Sequence, residues 1–187
     1  MAETRQASRL RIITLFEDLD DAALERVSEA CTTRPYERHS QILSEQDLTD
    51  DVFFILEGTV RITSLTPAGR EIIFTDVSAG NMFGEFAAID GLPRSATVTA
   101  LTDCLLARMS AASFFETLRT NGTVATRLVE ALVAKIRRMS ERVFEVSALA
   151  VRERVRRELL RLAADGQRTA TASSSGPLRP TTRLPPG

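Results

Sequence analysis

Histidine is almost missing from this chain: His39 is the only one in 187 residues. A metalloenzyme built on histidine ligands needs a cluster of them, and a Ser–His–Asp or Cys–His catalytic arrangement needs an imidazole beside a nucleophile. One histidine next to a predicted strand serves neither, so His39 reads as a turn residue and the chain reads as a non-enzyme with no metal and no cofactor. Cysteine is nearly as scarce. Cys31 and Cys104 lie far apart with no CxxC pair. They cannot supply the four ligands of an iron–sulfur cluster, and they read as reduced core thiols of a cytoplasmic protein. The N-terminal "MAETRQASRL" lacks the apolar core of a signal peptide. Long apolar runs are lacking too: stretches such as "VFFIL" are strand-sized, far short of a membrane span. A formal net charge of -1 excludes a molecule whose overall field is built for nucleic acid.

What is present is an ordinary globular composition, 43% hydrophobic and 26% charged, in a length that suits one domain with an appendage. "SRLRIITLF" and "DDAALERVSEAC" predict two short helices, the second capped by Asp20 or Asp21. From Thr32 to Met109 the texture is that of strands, with Gly58, Gly69 and Gly80 spaced eleven apart as turn signals. This predicts an all-β sandwich, roll or barrel, and "ILEGTVRI" reads as a tight turn at Gly58. Helix returns at "SAASFFETLRTN", with Ser110 as its cap. A long helix is predicted from Gly122 to Ser147. Its apolar positions Val129, Leu132, Ile136, Met139, Val143, Val146 and Ala150 are spaced 3, 4, 3, 4, 3 and 4. That is the seam of two parallel helices and predicts a homodimer through residues 125–150; the same pattern also serves a helix lying on its own domain. A further helix is predicted from Leu149 to Ala164. From Asp165 the Ser-, Thr-, Pro- and Gly-rich "DGQRTATASSSGPLRPTTRLPPG" is expected not to fold. Lys135–Arg161 carries nine basic and four acidic residues. This reads as the solvated outside of a helix, with Glu141–Glu145 unfavourable and Glu153–Arg157 favourable, ahead of a nucleic-acid surface.

The chemistry concentrates in "FGEFAAIDGLPRSATV", Phe83–Val98. One carboxylate, Glu85, and one guanidinium, Arg94, stand nine residues apart among small side chains. "EFAAI" predicts a single helical turn whose free N–H groups and dipole attract an anion, and Gly91 and Pro93 turn the chain back so that Arg94 opens the next strand. Arg94 offers a planar charged fork for phosphate, and Glu85 two acceptors for a sugar hydroxyl. Together they fit a small cyclic phosphate-sugar ligand. Read without more, an Arg and a Glu on adjacent elements also fit a structural ion pair.

Phe83, Gly84, Glu85, Ala87, Pro93, Arg94, Ser95, Ala96, Thr97 and Val98 resemble the phosphate-binding cassette of cyclic-nucleotide-binding domains. These occur in bacterial Crp–Fnr transcription regulators, cAMP-dependent kinase regulatory subunits and cyclic-nucleotide-gated channels. "VFFILEGTVRI" and "GREIIFTDVSAGNMFGE" resemble the preceding β-roll, and "ALVAKIRRMSERVFEVSALAVRERVRRELLRLAADG" the dimer helix and first DNA-binding-domain helix of the Crp–Fnr branch. The resemblance implies a mainly β fold with flanking helices, a double-stranded β-helix or jelly roll followed by a long dimerisation helix. It implies a β-roll domain over 8–121, a dimer helix over 122–148, the first helix of a DNA-binding domain over 149–166, and a tail over 167–187. The implied ligand is cAMP or another cyclic nucleotide. The implied site is Gly84, Glu85, Phe86, Arg94, Ser95, Ala96, Met139 and Ser140. Glu85 would take the ribose 2′-hydroxyl, Arg94 and Ser95 the cyclic phosphate with N–H groups around Gly84 and Ala96, and Ser140 would face the base. Three positions depart from the pattern: Met139 stands where a threonine is common, and Ser40 and Gln46 where glycine is usual. A winged helix-turn-helix is expected after Ala164. Its lack in "PLRPTTRLPPG" predicts truncation by a reading-frame change, so DNA is a partner of the family and doubtful for this chain. A stand-alone protein-interaction module, or a Crp-like fold without a nucleotide, are the competing expectations.

Overall fold

The computed structural model describes residues 7–173 and divides into two compact units, Met1–Leu132 and Val133–Gly187. In the first unit, residues 7–10 form a helical turn and Thr14–Phe16 a 3-10 turn. The single helix expected over "SRLRIITLF" is therefore interrupted. Ile13 is extended (φ -74°, ψ 116°), and Thr14 gives both its N–H and its hydroxyl to the Gly80 carbonyl, at 2.9 and 3.2 Å. A tertiary hydrogen bond and β-branched residues outweigh the helical pattern here. Helix α1, Asp21–Glu29, follows, with Asp20 as the cap: its carboxylate accepts from the Ala23 N–H at 2.7 Å.

Among the described residues, eight strands form two antiparallel sheets: β1 Cys31–Tyr36, β2 Gln41–Leu43, β3 Val52–Glu57, β4 Thr59–Leu65, β5 Glu71–Ser78, β6 Met82–Phe83, β7 Thr97–Ala100 and β8 Cys104–Met109. Their orders are β1-β8-β3-β6 and β2-β7-β4-β5. The β-roll expectation holds, and the turn at Gly58 acquires a different role. β3 and β4 do not pair with each other; Gly58 (φ 91°) carries the chain from one sheet to the other. A Cβ there would stand 2.4 Å from the Asp103 carbonyl oxygen and 2.7 Å from the Cys104 sulfur, so the corner accepts only glycine.

The unbroken apolar run "VFFIL" is explained by burial on both faces of β3. Phe53 and Ile55 point into the core between the sheets with Leu43, Val60, Phe83, Val98 and Leu106. Val52, Phe54 and Leu56 point the other way, against Leu10, Phe16, Leu24 and Phe114. Each such large side chain contributes roughly 1.5–3 kcal/mol on burial. Phe53 stacks on Phe83 at 5.1 Å between ring centres, which ties β3 to the strand that opens the cassette. Cys31 and Cys104 are buried and form no disulfide; burial pushes the Cys31 thiol up to about 12.

Helix α2 is Glu85–Asp90, and α3 is Ala111–Thr120, capped by Ser110, whose hydroxyl accepts from the Ser113 N–H at 3.2 Å. Helix α4 runs unbroken from Gly122 to Ser173. It replaces the two helices expected on either side of Ala148 and takes in Asp165–Ser173, expected to be irregular. Ala148, Leu149 and Ala150 are helix formers without a cap or proline among them, and a lone glycine such as Gly166 costs only about 1 kcal/mol against alanine. The expectations for residues 174–187 lie outside the described residues, as do those for the side chains of Val146, Ala150, Val151, Arg157 and Leu162.

Candidate ligand-binding site

The cassette begins where β6 ends. Gly84 takes a left-handed conformation (φ 83°) and turns the chain into α2. A Cβ at Gly84 would lie 2.8 Å from an Arg94 guanidinium nitrogen and 2.9 Å from the Asp51 carbonyl oxygen, so glycine is required by space as well as by φ. Glu85 follows at the first position of α2, only 2% exposed. Ala87 and Ala88 face inward, while Phe86 and Ile89 are each 41% exposed. The helix ends at Gly91, whose N–H donates to the Ala87 carbonyl at 3.1 Å. Arg94 then falls in the connection before β7 and does not itself open the strand.

Arg94 is also 2% exposed, and the loop over residues 46–51 holds it from several sides. Its backbone N–H donates to the Asp47 carbonyl at 2.8 Å, and the Gln46 N–H donates to the Arg94 carbonyl at 2.9 Å. Its side chain donates from Nε to the Thr49 hydroxyl at 3.0 Å, from Nη1 to the Gly84 carbonyl at 2.9 Å and from Nη2 to the Asp51 carbonyl at 2.9 Å. The guanidinium thus donates to the backbone of the residue immediately before Glu85. Burial lowers the Arg94 pKa from its ordinary value, the carboxylates of Asp51, Asp50 and Asp47 oppose that shift, and Arg108 adds to it. The group remains a cation at any physiological pH. Arg108 in turn makes a 2.7 Å ion pair with the Asp51 carboxylate.

Ser95 is exposed and Ala96 half-buried, both beside the arginine, and the Thr97 hydroxyl accepts from the Glu45 N–H at 3.1 Å. Met139 and Ser140 lie on α4 in the second unit. Met139 is 59% exposed, and the Ser140 hydroxyl donates to the Ile136 carbonyl of its own helix at 3.0 Å. Of the two positions where glycine is usual, Gln46 is left-handed (φ 73°), whereas at the first the left-handed residue is His39 (φ 71°), the neighbour of Ser40. Thr49 and Asp51 escaped the sequence reading. They stand more than forty positions before Arg94 in a loop without periodicity, and no local signal joins them to it.

The two-sheet roll delivers a buried guanidinium to the backbone of a glycine–glutamate turn, the fold and site of a small-molecule sensor class. The cyclic nucleotide-binding domain matches residues 33–121. The cAMP-activated global transcriptional regulator Vfr of Pseudomonas aeruginosa is 30% identical over 143 residues, which are 74% of this chain and 67% of that one. The regulatory domain of Toxoplasma gondii PKA, co-crystallised with cAMP, superimposes with a TM-score of 0.62 at 25% identity, over 70% of this chain and 49% of that one. The Catabolite Activator Protein of Thermus thermophilus shares the fold, with a TM-score of 0.65 at 23% identity over 72% of this chain and 63% of that one. The chain belongs to the cyclic nucleotide-binding domain family, among its CRP-like regulators. It spans about two thirds of Vfr and about half of the kinase regulatory chain.

Proposed function

We propose that this chain is a cyclic-nucleotide sensor, with cAMP as the ligand, in which Arg94 grips the cyclic phosphate and Glu85 the ribose 2′-hydroxyl. The observation that carries this reading is the guanidinium of Arg94 held against the carbonyl of Gly84, one residue from the buried carboxylate of Glu85. Three of the five guanidinium N–H groups are engaged by Thr49, Gly84 and Asp51, which leaves two for an incoming oxyanion. Ser95, exposed beside it, adds a hydroxyl, and backbone N–H groups around Gly84 and Ala96 complete the phosphate contacts. Phe86 is a further ligand contact in this reading, and for Met139 and Ser140 a role toward the base is proposed from the family resemblance alone. The role is binding without catalysis, in the cytoplasm.

The signal travels through α4. Val129, Ile136, Met139 and Val143 are each 59–66% exposed along the 3,4-spaced stripe, a face that a second copy of the same helix covers in a parallel homodimer. Ligand that favours one arrangement of those helices shifts the population toward it, and in a chain carrying a helix-turn-helix this orients the DNA readers. The names of the relatives, cAMP-activated regulators among them, support the ligand and the regulatory role.

Each charge-assisted hydrogen bond contributes about 1.5–3 kcal/mol. Arg94→Leu is expected to abolish cAMP binding in isothermal titration calorimetry while the wild-type chain binds. Unchanged affinity in the variant refutes the site. Parallel titration with cGMP reads the effect of Met139 on base choice.

A further inference from the structure

The three acceptors around the Arg94 guanidinium are not alike. Those at Nη1 and Nη2 are backbone carbonyls, of Gly84 and Asp51, and belong to the fold. The acceptor at Nε is a side chain, the hydroxyl of Thr49 at 3.0 Å. A planar guanidinium held at its two outer nitrogens can still pivot about the line joining them; a third contact at Nε fixes the plane. Thr49 is suited to this. Its β-branched side chain has a restricted χ1, so the hydroxyl keeps one direction. Its loop is registered against the arginine backbone through the Gln46 and Asp47 bonds. Thr49 is itself solvent-exposed, so water can replace its hydroxyl as an acceptor. A replacing water satisfies the N–H but is not tethered, and it leaves the plane unset.

We propose that Thr49 is a positioning residue for the anion site, orienting Arg94 through its Nε–H so that the two remaining guanidinium N–H groups face the cyclic phosphate in one geometry. The inference rests on the proposed function and adds to it a determinant of phosphate stereochemistry outside the cassette segment.

The test compares Thr49→Val, which keeps the shape and removes the acceptor, with Thr49→Ser, which keeps the acceptor. The ligands are cAMP and its two diastereomeric phosphorothioates, in which sulfur replaces one or the other exocyclic oxygen. Thr49→Val is expected to bind cAMP about tenfold more weakly, the scale of one charge-assisted hydrogen bond. Its preference between the two phosphorothioates is expected to fall toward unity, and its thermal midpoint to stay that of the wild type. Thr49→Ser is expected to retain most of the affinity and the preference. In the ligand-free chain, the Arg94 Nε–H nitrogen–proton resonance should be protected from solvent exchange in the wild type and in Thr49→Ser, and lost in Thr49→Val. A Val variant that binds cAMP within twofold of wild type with the same diastereomer preference overturns the role of Thr49 alone. A wild-type chain that binds no cyclic nucleotide overturns the proposed function, and this inference with it. Should Thr49→Val not fold, Thr49→Ala carries the same comparison.

Discussion

At the scale of single residues, the site is shaped by backbone conformations that side chains ordinarily avoid. Gly84 meets that demand without penalty, whereas Gln46 does not: it sits at φ 73° with its N–H on the Arg94 carbonyl. A non-glycine residue in the left-handed region costs roughly 1–2 kcal/mol, partly offset in a glycine variant by the greater entropy of its unfolded chain. Gln46→Gly is therefore expected to raise stability by about 1 kcal/mol, seen as a higher denaturant midpoint with an unchanged slope. A lower midpoint would show that the Gln46 side chain contributes more than its backbone strain costs. The same residue illustrates a limit of local reading. "ERHSQILSEQD" marks two glycine-like turns, yet the first left-handed residue is His39, not Ser40. Its N–H donates to the Ala100 carbonyl and the Ser40 N–H to that of Glu37, so hydrogen bonding to β7 selects which residue bends.

At the scale of elements, strand pairing decides what the strand pattern leaves open. Turn signals at Gly58, Gly69 and Gly80 announce corners but not partners. Gly69 closes the β4–β5 hairpin, in which Thr59–Leu65 pairs with Glu71–Ser78, while Gly58 moves the chain between sheets. A methyl group at Gly58 would collide with the Asp103 carbonyl and with Cys104, and the backbone there is left-handed. Gly58→Ala is expected to destabilise the fold by about 3 kcal/mol, measurable by chemical unfolding. A loss below about 0.5 kcal/mol, the usual range for surface changes, would mean that the corner relaxes freely. The loop–helix–loop form of Phe83–Val98 was legible in sequence, because Gly84 and Gly91 bracket the short helical turn expected over "EFAAI". The 46–51 loop that holds the arginine was not, because only the antiparallel pairing of β2 with β7 brings it there.

At the scale of the whole molecule, the exposed stripe of α4 is the feature with the largest consequence. Ile136 is 62% exposed and Val143 66% in the single chain, on a helix whose apolar positions repeat at 3.5-residue average spacing. Ile136→Glu places like charges opposite each other in a parallel dimer and is expected to shift the protein to monomer in sedimentation velocity, with the β-roll's near-ultraviolet dichroism retained. A wild-type chain that sediments as a monomer at every concentration would end the dimer reading. Among the described residues no helix is long and apolar enough to cross a membrane.

By itself the sequence determined the class of fold, a cap at Asp20 or Asp21 and another at Ser110, and which carboxylate and guanidinium stand in the Phe83–Val98 segment. These follow from local rules: strand-sized apolar runs between glycine turn signals, side-chain capping, and residue types whose chemistry is independent of context. The tertiary structure alone decided that β3 and β4 part company at Gly58 and that Thr49 and the Asp51 carbonyl clasp Arg94. Those outcomes depend on contacts between residues far apart in sequence, and the free energy of such contacts is set by which strands pair, which no stretch of sequence states on its own.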